Sequence, residues 1–193
     1  QELFSKEELI QAFSLEKVNK AGTKFDIEKA KWFNQQYLKN KDGAEIASLI
    51  KTQLEEQYGI TTTGEIAQAI FHLLKERVTF PQEMAPNALY LFQDPTEYDE
   101  KVVSKKWNEE AEKAVSIYAD ALNVKEDISP EEAKELFFNL MEANDIKAGK
   151  NMQALRMTIT GAGSGPDLME IISILGGKAV HDRIKYSINQ LKE

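Results

Sequence analysis

An all-α fold is predicted for this 193-residue chain by three observations. Apolar residues recur at helical spacing in one segment after another, as in Ile46, Ile50 and Leu54, or Val180, Ile184, Ile188 and Leu191. Helix-start chemistry precedes these runs: Ser5 with Glu8, Asp26, Thr63, and Ser129 followed by Pro130. No alternating strand pattern of useful length occurs.

Taken in order, Ser5 and Glu8 form a capping-box pattern that opens a short helix to about Phe13, followed by a loop to Lys24. Asp26 starts a helix to about Leu38 with Ala30, Phe33 and Tyr37 on one stripe, and residues 39–43 are a polar break. Residues 44–57 form a helix that Gly59 stops, and Thr63 opens another, carrying Ile66, Ile70, Leu73 and Leu74 to about Val78. Pro81, Pro86 and Pro95 then break any long helix, leaving residues 89–92 no more than one turn. This proline-rich connector divides the chain into two consecutive helical subdomains, 1–98 and 99–193. The second is predicted to begin with one long helix over residues 100–122. A helix from Pro130 directs Ala133, Leu136, Phe137, Leu140 and Met141 inward. Then come a helix bearing Arg156, a glycine loop, a helix opened by Pro166 with Leu168, Ile171, Ile172 and Leu175 on its stripe, and a last helix from Lys178.

Composition narrows the chemistry. Cysteine is absent, so there is no disulfide, thiol nucleophile or thiolate metal site, and with only His72 and His181 a zinc centre would need carboxylates at unusual spacing. No apolar run is long enough to cross a bilayer and the N-terminus is not signal-like, so a cytoplasmic protein with no membrane partner is expected. The net charge of −8 argues against a non-specific nucleic-acid binder, and no DNA partner is expected. It leaves room for a local patch, because screening makes near charges outweigh distant ones. Lys147, Lys150 and Arg156 form one such patch with no acid between them, and Lys101, Lys105 and Lys106 form another before Trp107.

The segment 153–176, QALRMTITGAGSGPDLMEIISILG, is the most informative. Gly161, Gly163 and Gly165 permit backbone angles closed to other residues. Ser164 or Gly165 is expected to cap the next helix, with Pro166 in its first turn and Asp167 at the positive end of its dipole. Such a corner, with free N–H groups and Arg156 close by, suits a phosphate or the edge of an unstacked base; it equally suits a plain inter-helix turn. The loop lacks the lysine–serine or lysine–threonine pair of a P-loop, and no zinc-protease helix or dinucleotide fingerprint occurs. Paired Glu131 and Glu132 are explained by the start of their helix. No catalytic residue is assigned. Arg77 either complements the end of its helix or offers a planar fork to a base edge or phosphate at the seam between subdomains. Trp32 and Trp107 are core or seam aromatics, or stacking surfaces for a base.

Three segments together resemble the C-terminal, anticodon-binding half of bacterial glutamyl-tRNA synthetases. They are LFSKEELIQAFSLEKVNKAGTKFDIEKAKWFNQQYL at 3–38, the connector around Ala88–Leu89–Tyr90–Leu91–Phe92, and ALRMTITGAGSGPDLMEIISILG at 154–176. The resemblance implies two α-helical subdomains forming an anticodon-binding helix cage. It implies that Arg77 reads the third anticodon base, that Arg156 belongs to the family's LR…TG motif, and that Gly165, Pro166, Leu168 and Met169 pack on anticodon bases. Lys147 and Lys150 are further candidates for phosphate contacts. Phe138 stands near a position where some members carry an arginine, Met169 where an aromatic can sit, and Gly165 where some offer a hydroxyl. The family's HIGH and KMSKS signatures are missing, which implies a non-catalytic, monomeric tRNA-binding fragment holding no cofactor, from a parent ligase that uses ATP and magnesium. A helical protein–protein scaffold and the equivalent domain of a class I lysyl enzyme are the alternatives.

Overall fold

Residues 2–18, 22 and 24–192 are described by the computed structural model, and among them the chain forms α-helices and short 3-10 turns with no strand. α1 (Lys6–Ala12) carries both halves of the predicted capping box: Ser5 N donates to the Glu8 carboxylate at 2.7 Å and Glu8 N to the Ser5 hydroxyl at 3.2 Å. No residue of α1 is buried, and Leu9, Ile10 and Phe13 are exposed. The Tyr37 hydroxyl holds this segment, donating to Phe4 O at 2.7 Å and accepting from Phe4 N at 3.2 Å. The loop expected to Lys24 lies partly outside the described residues.

α2 (Ile27–Lys39) starts at Asp26, whose carboxylate accepts from Lys29 N. α3 (Gly43–Tyr58) is capped by Asp42 and ends at Gly59, in the left-handed region with φ 66°. α4 (Gly64–Leu74) opens at Thr63 and packs on α3. It stops short of the predicted Val78, because nearby groups take up the backbone beyond Arg77. Thr79 N and Phe80 N both donate to the Glu83 carboxylate, at 2.7 and 3.0 Å, and the Asn34 amide donates to Thr79 O. Arg77 therefore lies past the helix, its N donating to Leu74 O at 2.8 Å, and not at the helix end as the sequence suggested. The connector holds α5 (Met84–Asn87) between single 3-10 turns at Pro81–Glu83 and Leu89–Leu91.

The helix predicted over 100–122 is two. α6 (Glu100–Lys106) ends at Trp107, whose backbone is extended, and α7 (Glu109–Leu122) begins afresh with Asn108 accepting from Ala111 N at 3.0 Å. α8 (Pro130–Ala143), α9 (Ala148–Thr160), α10 (Leu168–Leu175) and α11 (Gly177–Gln190) follow. A single buried cluster runs from Leu38 to Ile188, with α10 packed on α4 across the expected boundary at residue 98. The two halves thus share one apolar core, which fixes the seam between them.

Arg183, on the inward face of α11 between Val180 and Ile184, is 6% exposed. Its Nε donates to the Asp94 carboxylate at 3.1 Å, and its Nη1 donates to Tyr90 O at 2.7 Å and Ile159 O at 3.2 Å. One side chain thereby joins α11, the end of α9 and the connector.

Candidate nucleic-acid interface

The corner is built where α9 ends. Gly161 takes φ 76° and is the only one of the three loop glycines in the left-handed region. A Cβ there would also lie 2.5 Å from Glu97 O. Gly163 and Gly165 serve a different need, which is space. A Cβ on Gly163 would collide with the Val102 side chain and lie 2.8 Å from Asp99 Oδ2, and one on Gly165 would lie 3.1 Å from Arg156 Nη1. The glycines seat the loop against α6 and the arginine.

The cap differs from the expectation. Asp167, not Ser164 or Gly165, is the N-cap of α10, and Pro166 stands before the helix. The Asp167 carboxylate accepts from Met169 N at 2.8 Å and Glu170 N at 3.2 Å. The helix start is thus occupied by the chain's own anion, so those two N–H groups are not open to a phosphate. What the corner offers instead is side-chain charge.

Arg156 is half-buried beside Gly165, and its Nη1 is buried with no hydrogen-bond partner. Burial lowers its pKa from the ordinary arginine value; the Asp167 carboxylate works against that shift and Arg77 adds to it. Tyr90 joins them: burial pushes its phenol up to about 12, opposed by the charges of Arg156 and Arg77. Its hydroxyl is also buried without a partner.

Among the predicted site residues, Arg156 stands beside Gly165, with Pro166 next in the loop, and the charge of Arg77 reaches Arg156. Leu168 and Met169 are only 3% and 7% exposed and belong to the core, so their side chains form the floor of the corner. Lys147 and Lys150 stand at the other end of α9, a helix of 13 residues or about 20 Å. Lys101, Lys105 and Lys106 instead lie against the corner, lining a cleft with Gln153, Gly163 and Ser164. Sequence reasoning gave no role to Tyr90; its signal was a phenol inside an apolar run, which must find a partner or stay unsatisfied when buried. Trp32 is exposed and meets Phe33 edge to face, and Trp107 packs half-buried on the core.

Because the Tyr90 hydroxyl has no partner, Tyr90→Phe is expected to leave stability unchanged or raise it by about 1 kcal/mol. Tyr118→Phe should lower it by about 1 kcal/mol, since that hydroxyl donates to Ala133 O at 3.0 Å in the core. Urea denaturation of both variants checks the contrast, and a clear loss for Tyr90→Phe would mean that its hydroxyl is bonded.

Among the described residues, no group of three or more His, Asp or Glu is placed to hold a metal ion, and no helix is long and apolar enough to cross a membrane.

This all-α fold is shared with solved glutamate–tRNA ligases over almost the whole of the chain. The crystal structure of a glutamate tRNA ligase from Elizabethkingia meningosepticum, in complex with its amino acid, superposes with a TM-score of 0.91 at 34% identity, covering 99% of this chain and 38% of that one. The glutamate–tRNA synthetase of Elizabethkingia anophelis gives 0.86 at 34% identity, covering 98% and 37%. The glutamate–tRNA ligase of Cytophaga hutchinsonii is 40% identical over all of this chain and 37% of its own length. The family model described as an anticodon binding domain matches residues 27–188, and the chain belongs to that family. The match begins where α2 begins, leaving out the segment that contains α1. The chain spans little more than a third of the length of the curated relatives it matches.

Proposed function

We infer that the chain recognises the anticodon stem-loop of a glutamate-accepting tRNA, as the non-catalytic C-terminal part of a cytoplasmic glutamate–tRNA ligase. ATP and magnesium then act elsewhere in that ligase, and this part works as a monomer, with subdomains 1–98 and 99–193 gripping one loop. The observation that carries the reading is the half-buried Arg156 beside Gly165, with an Nη1 donor that no protein group satisfies, in the field of a second arginine, Arg77. A buried guanidinium N–H left open is a donor awaiting an acceptor-bearing ligand. Arg156 and the loop backbone at Gly165 and Pro166 meet the anticodon bases, while Leu168 and Met169 support them from below. Lys147 and Lys150 reach backbone phosphates further along α9.

Arg77 reads the third base. Its exposed position past α4 leaves the fork free to turn toward a ligand. Cytosine offers acceptors at O2 and N3, which two guanidinium donors satisfy, whereas guanine presents N1–H and N2–H₂, donors facing donors. Stem-loops differing only at that base, titrated against the chain, are expected to show about tenfold preference for cytosine. Arg77→Gln should relax it, because an amide both donates and accepts. Equal preference in both proteins removes this role from Arg77. Binding that is absent, or weak and insensitive to salt, favours a protein–protein scaffold instead.

A further inference from the structure

The lysines of α6 have no part in that reading so far. Lys101, Lys105 and Lys106 line a cleft of about 290 Å³ whose opposite wall is Gln153 of α9 and the Gly163–Ser164 segment of the loop. All three are exposed, and none makes an ion pair among the described residues. Folding explains only some of this. Lys105 and Lys106 stand in the last turn of α6, where cations complement the helix dipole. Lys101 stands in the first turn, at the positive end, and lies one turn from Lys105 on the same face, so both its dipole and its neighbour disfavour it. One carboxylate, Asp99, also lines the cleft, but its Oδ1 is committed to Lys101 N at 2.9 Å and Val102 N at 3.3 Å. Gly163, too close to Val102 and Asp99 for any side chain, keeps the two walls in register. The protein as a whole carries a charge of −8, so a polyanion needs a locally positive entry, which screening over about 10 Å makes effective.

We propose that the cleft between α6 and the Gly163–Ser164 loop binds a backbone phosphodiester of the anticodon loop, adjacent to the base held at Arg156. This rests on the tRNA reading above and adds to it the site that holds the RNA strand. The three ammonium groups neutralise the phosphate, while the Ser164 hydroxyl and Gln153 amide supply neutral donors from the other wall. The contact carries no base information, so it sets strand position and leaves base choice to the arginines.

The test titrates the 193-residue chain and its combined Lys101→Gln, Lys105→Gln, Lys106→Gln variant with the unmodified stem-loop over a salt series. A control removes the same charge at exposed lysines elsewhere: Lys51→Gln, Lys113→Gln, Lys134→Gln. The cleft variant is expected to bind at least about tenfold more weakly and to show a log K against log salt slope shallower by about 0.7, the value for one phosphate contact on a single strand. Its cytosine-over-guanine preference should be unchanged, and the control should keep a nearly wild-type slope. Wild-type slope and affinity in the cleft variant, with Arg156→Ala still weakening binding, overturn the cleft alone. Loss of base preference in the cleft variant overturns the phosphodiester assignment. Failure of the wild-type chain to bind the stem-loop overturns both readings.

Discussion

Arg156→Ala is expected to weaken binding of an anticodon stem-loop by about 1–3 kcal/mol, the range for a charge-assisted hydrogen bond withdrawn from a desolvated site. The reasoning starts from the free protein. Arg156 is held half-buried in the last turns of α9, where burial lowers its pKa and the charge of Asp167 only partly offsets the cost. Its Nη1 has no acceptor. Folding gains little from that donor, so a ligand acceptor that reaches it removes an existing penalty as well as adding a contact. Alanine is a better helix former than arginine, so α9 should persist and helical content should not fall. Isothermal titration with the stem-loop, alongside circular dichroism, separates the two effects. Affinity unchanged within about 0.3 kcal/mol, the scale of an ordinary surface substitution, would make Arg156 structural.

Arg183→Leu should act in the opposite way, on stability first. The leucine can occupy the apolar part of the space, but Tyr90 O and Ile159 O lose the Nη1 donor, and the Asp94 carboxylate loses its partner. Two carbonyls left short of a donor at about 1–3 kcal/mol each predict a loss of about 3 kcal/mol. Asp94 itself is largely exposed, with 62% of its side chain accessible, so Asp94→Asn should cost well under 1 kcal/mol. Urea denaturation measures both. Because Arg183 fixes the backbone of Tyr90 and the end of α9, the leucine variant should also bind RNA less well in proportion to its unfolding, with base preference retained in the folded fraction. A stability loss below about 0.5 kcal/mol, the range of a neutral surface change, would mean that the three hydrogen bonds do not hold the connector.

The helices were legible in the sequence wherever a cap and a stripe coincided. Ser5 with Glu8, Asp26, Thr63 and Ser129–Pro130 each start a helix as read, and Gly59 ends one. These are local devices: a side chain satisfies backbone groups two or three residues away, so the information lies within one turn. The misreadings share a cause. Asn108 divides the expected long helix, and Asp167 displaces Ser164 and Gly165 as the cap of α10, because several residues could serve and packing chose among them. Beyond the early end of α4, Glu83 holds the backbone from three and four residues away, but Asn34 reaches Thr79 from the far side of α3 and α4, where no local pattern reveals it.

The site divides in the same way. Arg156 and the glycine loop were visible as residue types in a telling order, and with the segment 3–38 and the connector around Ala88–Phe92 they carried the family resemblance that gave Arg77 its role. That Gly163 is needed for room and Gly161 for both room and its φ was not, since the obstructing atoms belong to Val102, Asp99 and Glu97, nor was the closeness of Gly165 to Arg156. Nor was the closeness of Tyr90 to both arginines, or the placing of the α6 lysines against Ser164.

By itself the sequence determined the all-α class, most helix starts, and a basic, glycine-bearing corner in an otherwise acidic chain, because caps, stripes and charge are properties of near neighbours. Only the tertiary structure decided which polar groups are buried without partners, which glycines have no room for a side chain, that Leu168 and Met169 face the core, and that Arg183 joins three segments. Those outcomes depend on which surfaces close over one another when a single apolar core forms, and burial is a property of the packed whole.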